Sequence, residues 1–398
     1  MKTIRVKQWH VRAVSLLVSL FVCVAPSQAI QPVDMLPPDT SNIVSEGMAI
    51  LSDGSVYGRS GPSAGVFGNV NAPFKGTYWG APGPFFQIVD LGTPVGLFQI
   101  DMNDSHDAVG EAREPTFPFN VKGFVTEDSL NTPVTTVLSP VSSLDHSRAV
   151  SINNSNVVVG TSYTFNSFSA EILHTGTVWR KSNSYTPEVT NIVKRPQSIS
   201  ENGNLVGWEG SSTGAVTKIG NVMGNPIPFT GNIGGLNGTG PTFGMDINDS
   251  AQVAGWAFDQ ATNSGVTTAF LWDPASGMSA VNHSALGAIE SFGRAVNNHG
   301  LMVGSLNMAP GSGTGDYHAF CYYQGQAVDL NSLIDQTSGW ELWHAYDVND
   351  DGWIAGVGTY NGVFRGFRMQ HPIIPEPSAL LLFGVALVGL VAARPNRL

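Results

Sequence analysis

Asp246-Ile247-Asn248-Asp249-Ser250-Ala251-Gln252-Val253-Ala254-Gly255 is the stretch on which the fold turns. An apolar residue, Asn, a short polar turn, then Val, a variable residue and Gly read as two strands joined by a tight hairpin. Asn and Gly tolerate the positive φ of such a turn, and the flanking Ile and Val alternate between the two faces. The phrase returns as Ala295-Val296-Asn297-Asn298-His299-Gly300-Leu301-Met302-Val303-Gly304. Further copies centre on Ile152-Asn153-Asn154, Ile199-Ser200-Glu201-Asn202-Gly203, Met102-Asn103-Asp104 and Val348-Asn349-Asp350-Asp351-Gly352, with a weaker one from Ala49 through Asp53-Gly54 to Gly58. The closing glycines stand at 58, 110, 160, 207, 255, 304 and 356, with gaps of 52, 50, 47, 48, 49 and 52.

Two more signatures follow the hairpin in several units. One is Ala269-Phe270-Leu271-Trp272, His318-Ala319-Phe320, Thr177-Val178-Trp179 or Tyr78-Trp79; the next is Val89-Asp90-Leu91-Gly92 or Val328-Asp329-Leu330. Three to four short strands in about 50 residues suit one propeller blade. The aromatic third strand would pack neighbouring sheets, and glycine would let backbones approach closely. The expectation is an all-β, seven-bladed β-propeller, with a β-solenoid or paired sandwiches as competing folds. The last unit has no Asp-Leu strand, so the segment from Ile30 to Ile43 is expected to complete its blade and close the ring.

These phrases, Ile-Asn-turn-Gly-Val-Gly followed by His-Ala-Phe and Asp-Leu, resemble the HAF-type extracellular repeats of bacterial proteins. The resemblance spans Ala49 to Met369 and implies location and architecture more than activity.

The two ends carry export signals. Lys2, Arg5, Lys7 and Arg12 precede an apolar run from Ala13 to Ala25, followed by Ser27 and Ala29, which is the pattern of a secretory signal peptide cleaved after Ala29. That run is shorter than the ~20 residues a spanning helix needs. At the other end Pro375, Glu376, Pro377 and Ser378 precede the apolar run Ala379–Ala393, and Arg394 and Arg397 close the chain. This tail resembles a PEP-CTERM sorting signal, although two separated arginines are a thinner basic group than the family usually shows. The resemblance implies recognition by the membrane-embedded exosortase, transient inner-membrane anchoring, removal of the tail, and delivery to the outer surface or extracellular matrix of a Gram-negative-type bacterium. The bland alternative is an ordinary C-terminal anchor. The organisation expected is thus a signal peptide over 1–29, an N-terminal segment over 30–46, the repeat domain over 47–371 and the sorting signal over 372–398, with its hydrophobic part at 379–393.

Composition agrees with this compartment. Charged residues are 12% of the chain and Gly numbers 46, which favours short strands and tight turns over helices with charged outer faces. The 19 basic residues less the four of the leader face 30 acidic ones, a net near −15. Such a surface repels nucleic acid and anionic lipid and excludes a nucleic-acid partner. Cys23 leaves with the leader, so Cys321 remains alone, in an apolar strand pattern where it reads as core packing.

No catalytic, cofactor or metal constellation emerges. Asp347, Asn349 and Asp351 imitate the start of a calcium loop, but its twelfth position is Gly358, which cannot close the ligand set, and the stretch is in register with the other turns. Asp101, Asn103, Asp104 and Asp107 form a looser cluster with the same turn reading. Gly61-Pro62-Ser63-Ala64-Gly65 has the letters of a nucleophile elbow without the strand and helix it needs. His318 reads as a strand hydrogen-bonding residue, and Asp90 and Asp329, equivalent by repeat, as structural.

The function expected is that of a noncatalytic cell-surface or matrix protein whose partners are signal peptidase, exosortase and extracellular polysaccharide, with no cofactor. Tyr78, Trp79, Trp340 and Trp343 are the candidate sugar-stacking residues, Trp340 and Trp343 foremost. The alternatives are a secreted glycan hydrolase or lyase with a site at the propeller axis, or a biofilm component without a specific ligand. Several non-equivalent polar residues around one axial pocket would favour the enzyme; seven similar linings would favour a scaffold.

Overall fold

Each hairpin phrase builds the first two strands of its own antiparallel sheet. The computed structural model describes residues 32–35, 44–61, 75–80, 98–113, 121–128, 130–165, 171–210, 214–236, 240–258, 266–308 and 316–371. Blade one holds β2 (Val44–Ile50), β3 (Val56–Gly61) and β4 (Lys75–Trp79). Blade two holds β5 (Phe98–Met102), β6 (Ala108–Arg113), β7 (Val121–Glu127) and β8 (Val134–Leu138). Blade three follows with β9 (His146–Ile152), β10 (Val157–Phe165), β11 (Glu171–Arg180) and β12 (Glu188–Val189), and blade four with β13 (Arg195–Ile199), β14 (Asn204–Glu209), β15 (Val216–Asn221) and β16 (Gly231–Asn232). Blade five is β17 (Thr242–Ile247), β18 (Val253–Phe258), β19 (Thr267–Asp273) and β20 (Gly277–Ala280); blade six is β21 (Glu290–Val296), β22 (Met302–Asn307), β23 (Tyr317–Tyr323) and β24 (Gln326–Asp329). Blade seven comprises β25 (Trp340–Val348), β26 (Trp353–Tyr360) and β27 (Val363–Gln370).

First strands touch in succession around one axis, and β25 returns to β2. The fold is a seven-bladed β-propeller, as the repeat spacing predicts, and neither a solenoid nor a pair of sandwiches. The outer strand of blade seven comes from the start of the chain: β1 (Val33–Met35) pairs antiparallel with β27, Val33 opposite Arg368 and Met35 opposite Gly366. One sheet is thereby sewn from both ends of the propeller.

Seven apolar clusters of described residues hold the ring, one at each blade junction. Between blades six and seven lie Leu301, Val303, Cys321, Leu342, Ile354 and Phe367; between seven and one, Ala355 meets Ile50, Val56 and Trp79. Cys321 is buried there, its sulfur 3.1 Å from His371 Nε2, and burial pushes its thiol up to about 12. Tyr78 and Trp79 lie in β4 and are buried, so the structure gives them to the core and not to loops.

The closing glycine of each phrase has a steric cause. In every blade the first strand carries a bulge opposite it, for instance between Gly293 and Ala295 or between Ala345 and Asp347. The bulge turns a carbonyl toward the neighbouring strand, so a Cβ on Gly304 would lie 2.0 Å from the Phe292 oxygen, and one on Gly58 1.9 Å from that of Glu46. Phe320 and Phe367 then fill the space over Gly304 and Gly356.

Candidate functional site

The seven hairpin turns surround one mouth of the axial channel, a cavity of about 350 Å³. Two belts of hydrogen bonds run round it. In the first, the turn Asn donates its amide to the turn carbonyl of the next blade: Asn103 to Asn153 (3.1 Å), Asn153 to Ser200 (3.1 Å), Asn248 to Asn297 (2.8 Å), Asn297 to Asn349 (2.9 Å) and Asn349 to Leu51 (2.8 Å). Blade four has Ser200 at this place, and Asn204 donates to Asn248 instead (3.1 Å). The other end of the same amide holds its own turn, as when Asn297 Oδ1 accepts from His299 N and Leu301 N.

The second belt donates in the same direction round the ring, with backbone as donor and side chain as acceptor. The backbone N–H of Ser52 donates to Asp104, Asp104 to Asn154, Asn154 to Glu201, Asn202 to Asp249, Asp249 to Asn298, and Asn298 to Asp350, all within 2.9 Å. A side chain that both donates and accepts is needed in the first belt, which is why Asn recurs. Positive φ falls instead on a later turn residue, glycine in four blades and His106, Asn156 or Ala251 in three. The calcium-like oxygens are consumed by these clasps: Asp347 Oδ2 accepts from Ile50 N and Asn349 Oδ1 from Trp353 N. No metal-ligating group of three or more His, Cys, Asp or Glu occurs among the described residues. The turn linings are alike in most blades, with Leu51-Ser52 replacing the Asn phrase in blade one and Ser200-Glu201 in blade four.

Just inside the mouth, Asp101, Asp246 and Asp347 clasp the next blade through the backbone N–H groups of Ile152, Val296 and Ile50. Burial raises all three carboxyls, Asp101 to about 6 and Asp347 to about 7, against backbone hydrogen bonds that lower them; Asp246 lifts both further by repulsion. A carboxyl raised in the fold binds its proton more tightly folded than unfolded, so its contribution is complete below the unfolded value near 4. It is lost as pH rises toward 7. The propeller is therefore expected to melt lower at pH 8 than at pH 5. Asp347→Asn, which keeps an acceptor for Ile50, should recover about 2 kcal/mol at pH 8 and little at pH 5, channel water reducing the full effect. Equal gains at both pH values in denaturant titrations would remove Asp347 as the cause.

The opposite half of the channel is different in kind. There the first-strand residue paired with the residue after each repeat glycine varies freely: Glu46 with Arg59, Phe98 with Glu111, Arg148 with Thr161, Arg195 with Trp208, Phe243 with Trp256, Phe292 with Ser305 and His344 with Val357. One arc is ionic. Arg59 Nε lies 2.8 Å from Glu46 Oε2 and Arg148 Nε 2.5 Å from Glu111 Oε2, the latter between blades. The other arc is aromatic: Arg195 lies over Trp208 at 4.3 Å, Trp208 meets Phe243 edge-on at 5.1 Å, Phe243 stacks on Trp256 at 3.9 Å, and Trp256 meets Phe292 at 5.9 Å. Trp208, Trp256 and Phe292 are partly exposed, whereas Glu46 and Glu111 are 2% and 0% exposed.

Arg294 and Tyr346 occupy the bulges of β21 and β25. Burial raises the Tyr346 phenol, with Glu46 adding to the shift and Arg294 and Arg59 opposing it; burial first and Arg294 second depress His344 to about 4. These groups thus share one electrostatic neighbourhood. Glu46 Oε1, Glu111 Oε1 and Arg294 Nε are buried without a hydrogen-bond partner.

Trp340, at the start of β25, packs 5.1 Å from Tyr360, and Trp343, in a second bulge of that strand, meets Phe364 edge-on at 4.9 Å with its indole N–H buried and unpartnered. His318 Nδ1 bonds Asp329 Oδ2 at 2.7 Å, linking strands three and four of blade six, and Asp329 also caps Asn331 N. Asp90, the Pro62–Gly65 loop, Ala29 and the Pro375-Glu376-Pro377 motif lie outside the described residues. The sequence reading missed Trp208, Trp256 and the arginines. The signal for Arg59, Trp208 and Trp256 was the residue after each repeat glycine, which changes character from unit to unit; Arg148, Arg195 and Arg294 lie on the facing first strands.

Residues 374–397 match the PEP-CTERM protein-sorting motif, which marks an exported, exosortase-processed protein. Among solved structures, the β-propeller domain of the Trilobed protease from Pyrococcus furiosus is similar at 7% identity and TM-score 0.52, over 84% of this chain and 97% of that one. That likeness shows the fold alone. Pyrococcus horikoshii acylaminoacyl peptidase (9% identity, TM-score 0.48) is covered over 54% of its length, with 86% of this chain aligned. Trypanosoma rangeli sialidase (10%, 0.43) is covered over 61%, with 89% of this chain aligned. Neither supports an inference about activity. No curated protein matches the sequence.

Proposed function

We propose that this exported, exosortase-processed propeller is a noncatalytic surface or matrix protein that holds extracellular polysaccharide on the face opposite its Asn turns. The observation that carries the reading is the arc of partly exposed rings Trp208, Trp256 and Phe292 on that face, built from three blades. Flat apolar rings with polar neighbours suit the C–H faces of sugars. Trp340 and Trp343 would extend the arc onto blade seven.

Orientation supports it. His371 N bonds Gly352 O of a hairpin turn, so the chain leaves the propeller on the turn side. Only residues 371–378 then separate β27 from the apolar run, a reach of roughly 28 Å at most. While the tail is anchored, the turn side faces the bilayer and the aromatic side faces outward. In this reading the repeats are of the HAF type, signal peptidase cuts after Ala29, and exosortase acts near Pro375–Pro377.

The test is co-sedimentation of the exported protein with exopolysaccharide from its host. Saturable binding is expected, weakened about tenfold by Trp208→Ala with Trp256→Ala, and less by Trp340→Ala with Trp343→Ala. Binding that is absent, or unchanged in both double variants, refutes the reading. The hydrolase alternative draws on the non-equivalent polar ring, yet Glu46 and Glu111 are each tied through one oxygen to an arginine. New reducing ends appearing on incubation with the polysaccharide would favour it instead.

A further inference from the structure

We infer that the part of this ring formed by Trp256, Phe292, Arg294, Tyr346 and Glu46 is a subsite for a carboxylate-bearing sugar of the uronate type, an inference that rests on the polysaccharide reading above. Three independent features converge there. The first is charge. In a mature chain with a net near −15, Arg59, Arg148, Arg195 and Arg294 gather on one ring against only Glu46 and Glu111. Four of the eight arginines between residues 44 and 371 stand on this ring, and with Arg59 and Arg148 paired to Glu46 and Glu111 it is left cationic through Arg195 and Arg294, so it draws an anion against the repulsion of the rest of the protein.

The second is unmet hydrogen bonding. Buried polar atoms are almost always paired, and an unpaired one leaves a desolvation cost standing. Glu46 Oε1 and Glu111 Oε1 are buried acceptors without a donor, and Arg294 Nε is a buried donor without an acceptor. Glu46 is 2% exposed and already bound to Arg59 through its other oxygen. A ligand answering Glu46 and Arg294 together must present a hydroxyl donor to the carboxylate and an anionic acceptor to the guanidinium. A planar guanidinium matches a carboxylate through parallel N–H groups.

The third is the adjoining platform. Trp256 meets Phe292 at 5.9 Å, and Arg294 stands two residues beyond Phe292 on the same strand. A sugar acid alone combines an apolar ring face for the indole, hydroxyls for Glu46 and a carboxylate for Arg294; a neutral hexose lacks the last. No bond is made or broken in this proposal.

The experiment is calorimetric titration of the exported protein with alginate oligosaccharides and with the same oligosaccharides after carboxyl reduction to neutral sugars. Binding at least tenfold tighter for the uronate form is expected, with the preference shrinking as salt rises. Arg294→Met should abolish the preference and Arg294→Lys restore part of it, each with an unchanged melting midpoint. Equal affinity for the two forms, or a preference that survives Arg294→Met, overturns the inference while leaving the polysaccharide reading in place. Host polysaccharide bound without either oligosaccharide binding overturns it likewise, and binding of none of them overturns both readings.

Discussion

Gly304→Ala is expected to cost the propeller about 3 kcal/mol or more, or to prevent folding. The added Cβ would lie 2.0 Å from the Phe292 carbonyl oxygen and 2.9 Å from the Phe320 ring. The ring tip can rotate; the carbonyl cannot, because it belongs to the bulge that shapes β21. Relief would demand separating β21 from β22, and β21 touches its neighbours on both sides of the axis. Gly325→Ala is the control. Gly325, unlike Gly304, has positive φ, at 83°, but a Cβ there meets nothing within 4 Å, so a cost of about 1 kcal/mol is expected from backbone conformation alone. Denaturant midpoints of the two variants separate the effects, and similar small losses would show that the bulge yields more easily than its contacts suggest.

Asn297→Asp is the second large effect, and it carries a sign. The amide of Asn297 donates to Asn349 O while its oxygen accepts from two turn N–H groups. Asp keeps the acceptor but turns an ionised oxygen toward a carbonyl oxygen 2.9 Å away in a site 4% exposed. Protonation restores the donor. The variant should therefore lose about 3 kcal/mol relative to the parent at pH 8 and markedly less at pH 4.5. Asn297→Ala, lacking both functions, should lose about 2–3 kcal/mol at either pH. A pH-independent loss for the Asp variant would mean that the amide donation to Asn349 contributes little to joining blades six and seven.

The fold was legible in the sequence because its constraints repeat. Seven bulges need seven glycines, and the junctions need an amide at the turn, so a steric rule and a hydrogen-bonding rule each leave a mark every fifty residues. Their causes were not legible. Asn248 and Asn297 looked like turn formers, yet they act as clasps reaching across to the next blade. Asp347 looked like a possible calcium ligand and proved to hold Ile50 at the closing junction.

The candidate site was hidden for the complementary reason. A binding surface on a ring of repeats is made where the repeats differ, and Arg59, Glu111, Trp256 and Ser305 share no residue type to search for. Only register shows that they occupy one position after one glycine. Aromatic content drew attention to Trp340 and Trp343, which lie toward the same outer end of blade seven. Only pairing partners distinguish the wholly buried Trp79 from the partly exposed Trp256.

Hydrogen exchange of the exported protein, free and bound to host exopolysaccharide, tests most directly where the ligand sits. Slower exchange is expected over residues 205–209, 242–245, 254–258 and 290–294, with the hairpin turns at 248–252 and 297–301 unchanged. Protection confined to those turns, or none at saturating polysaccharide, would contradict the assignment of the outward face as the binding surface.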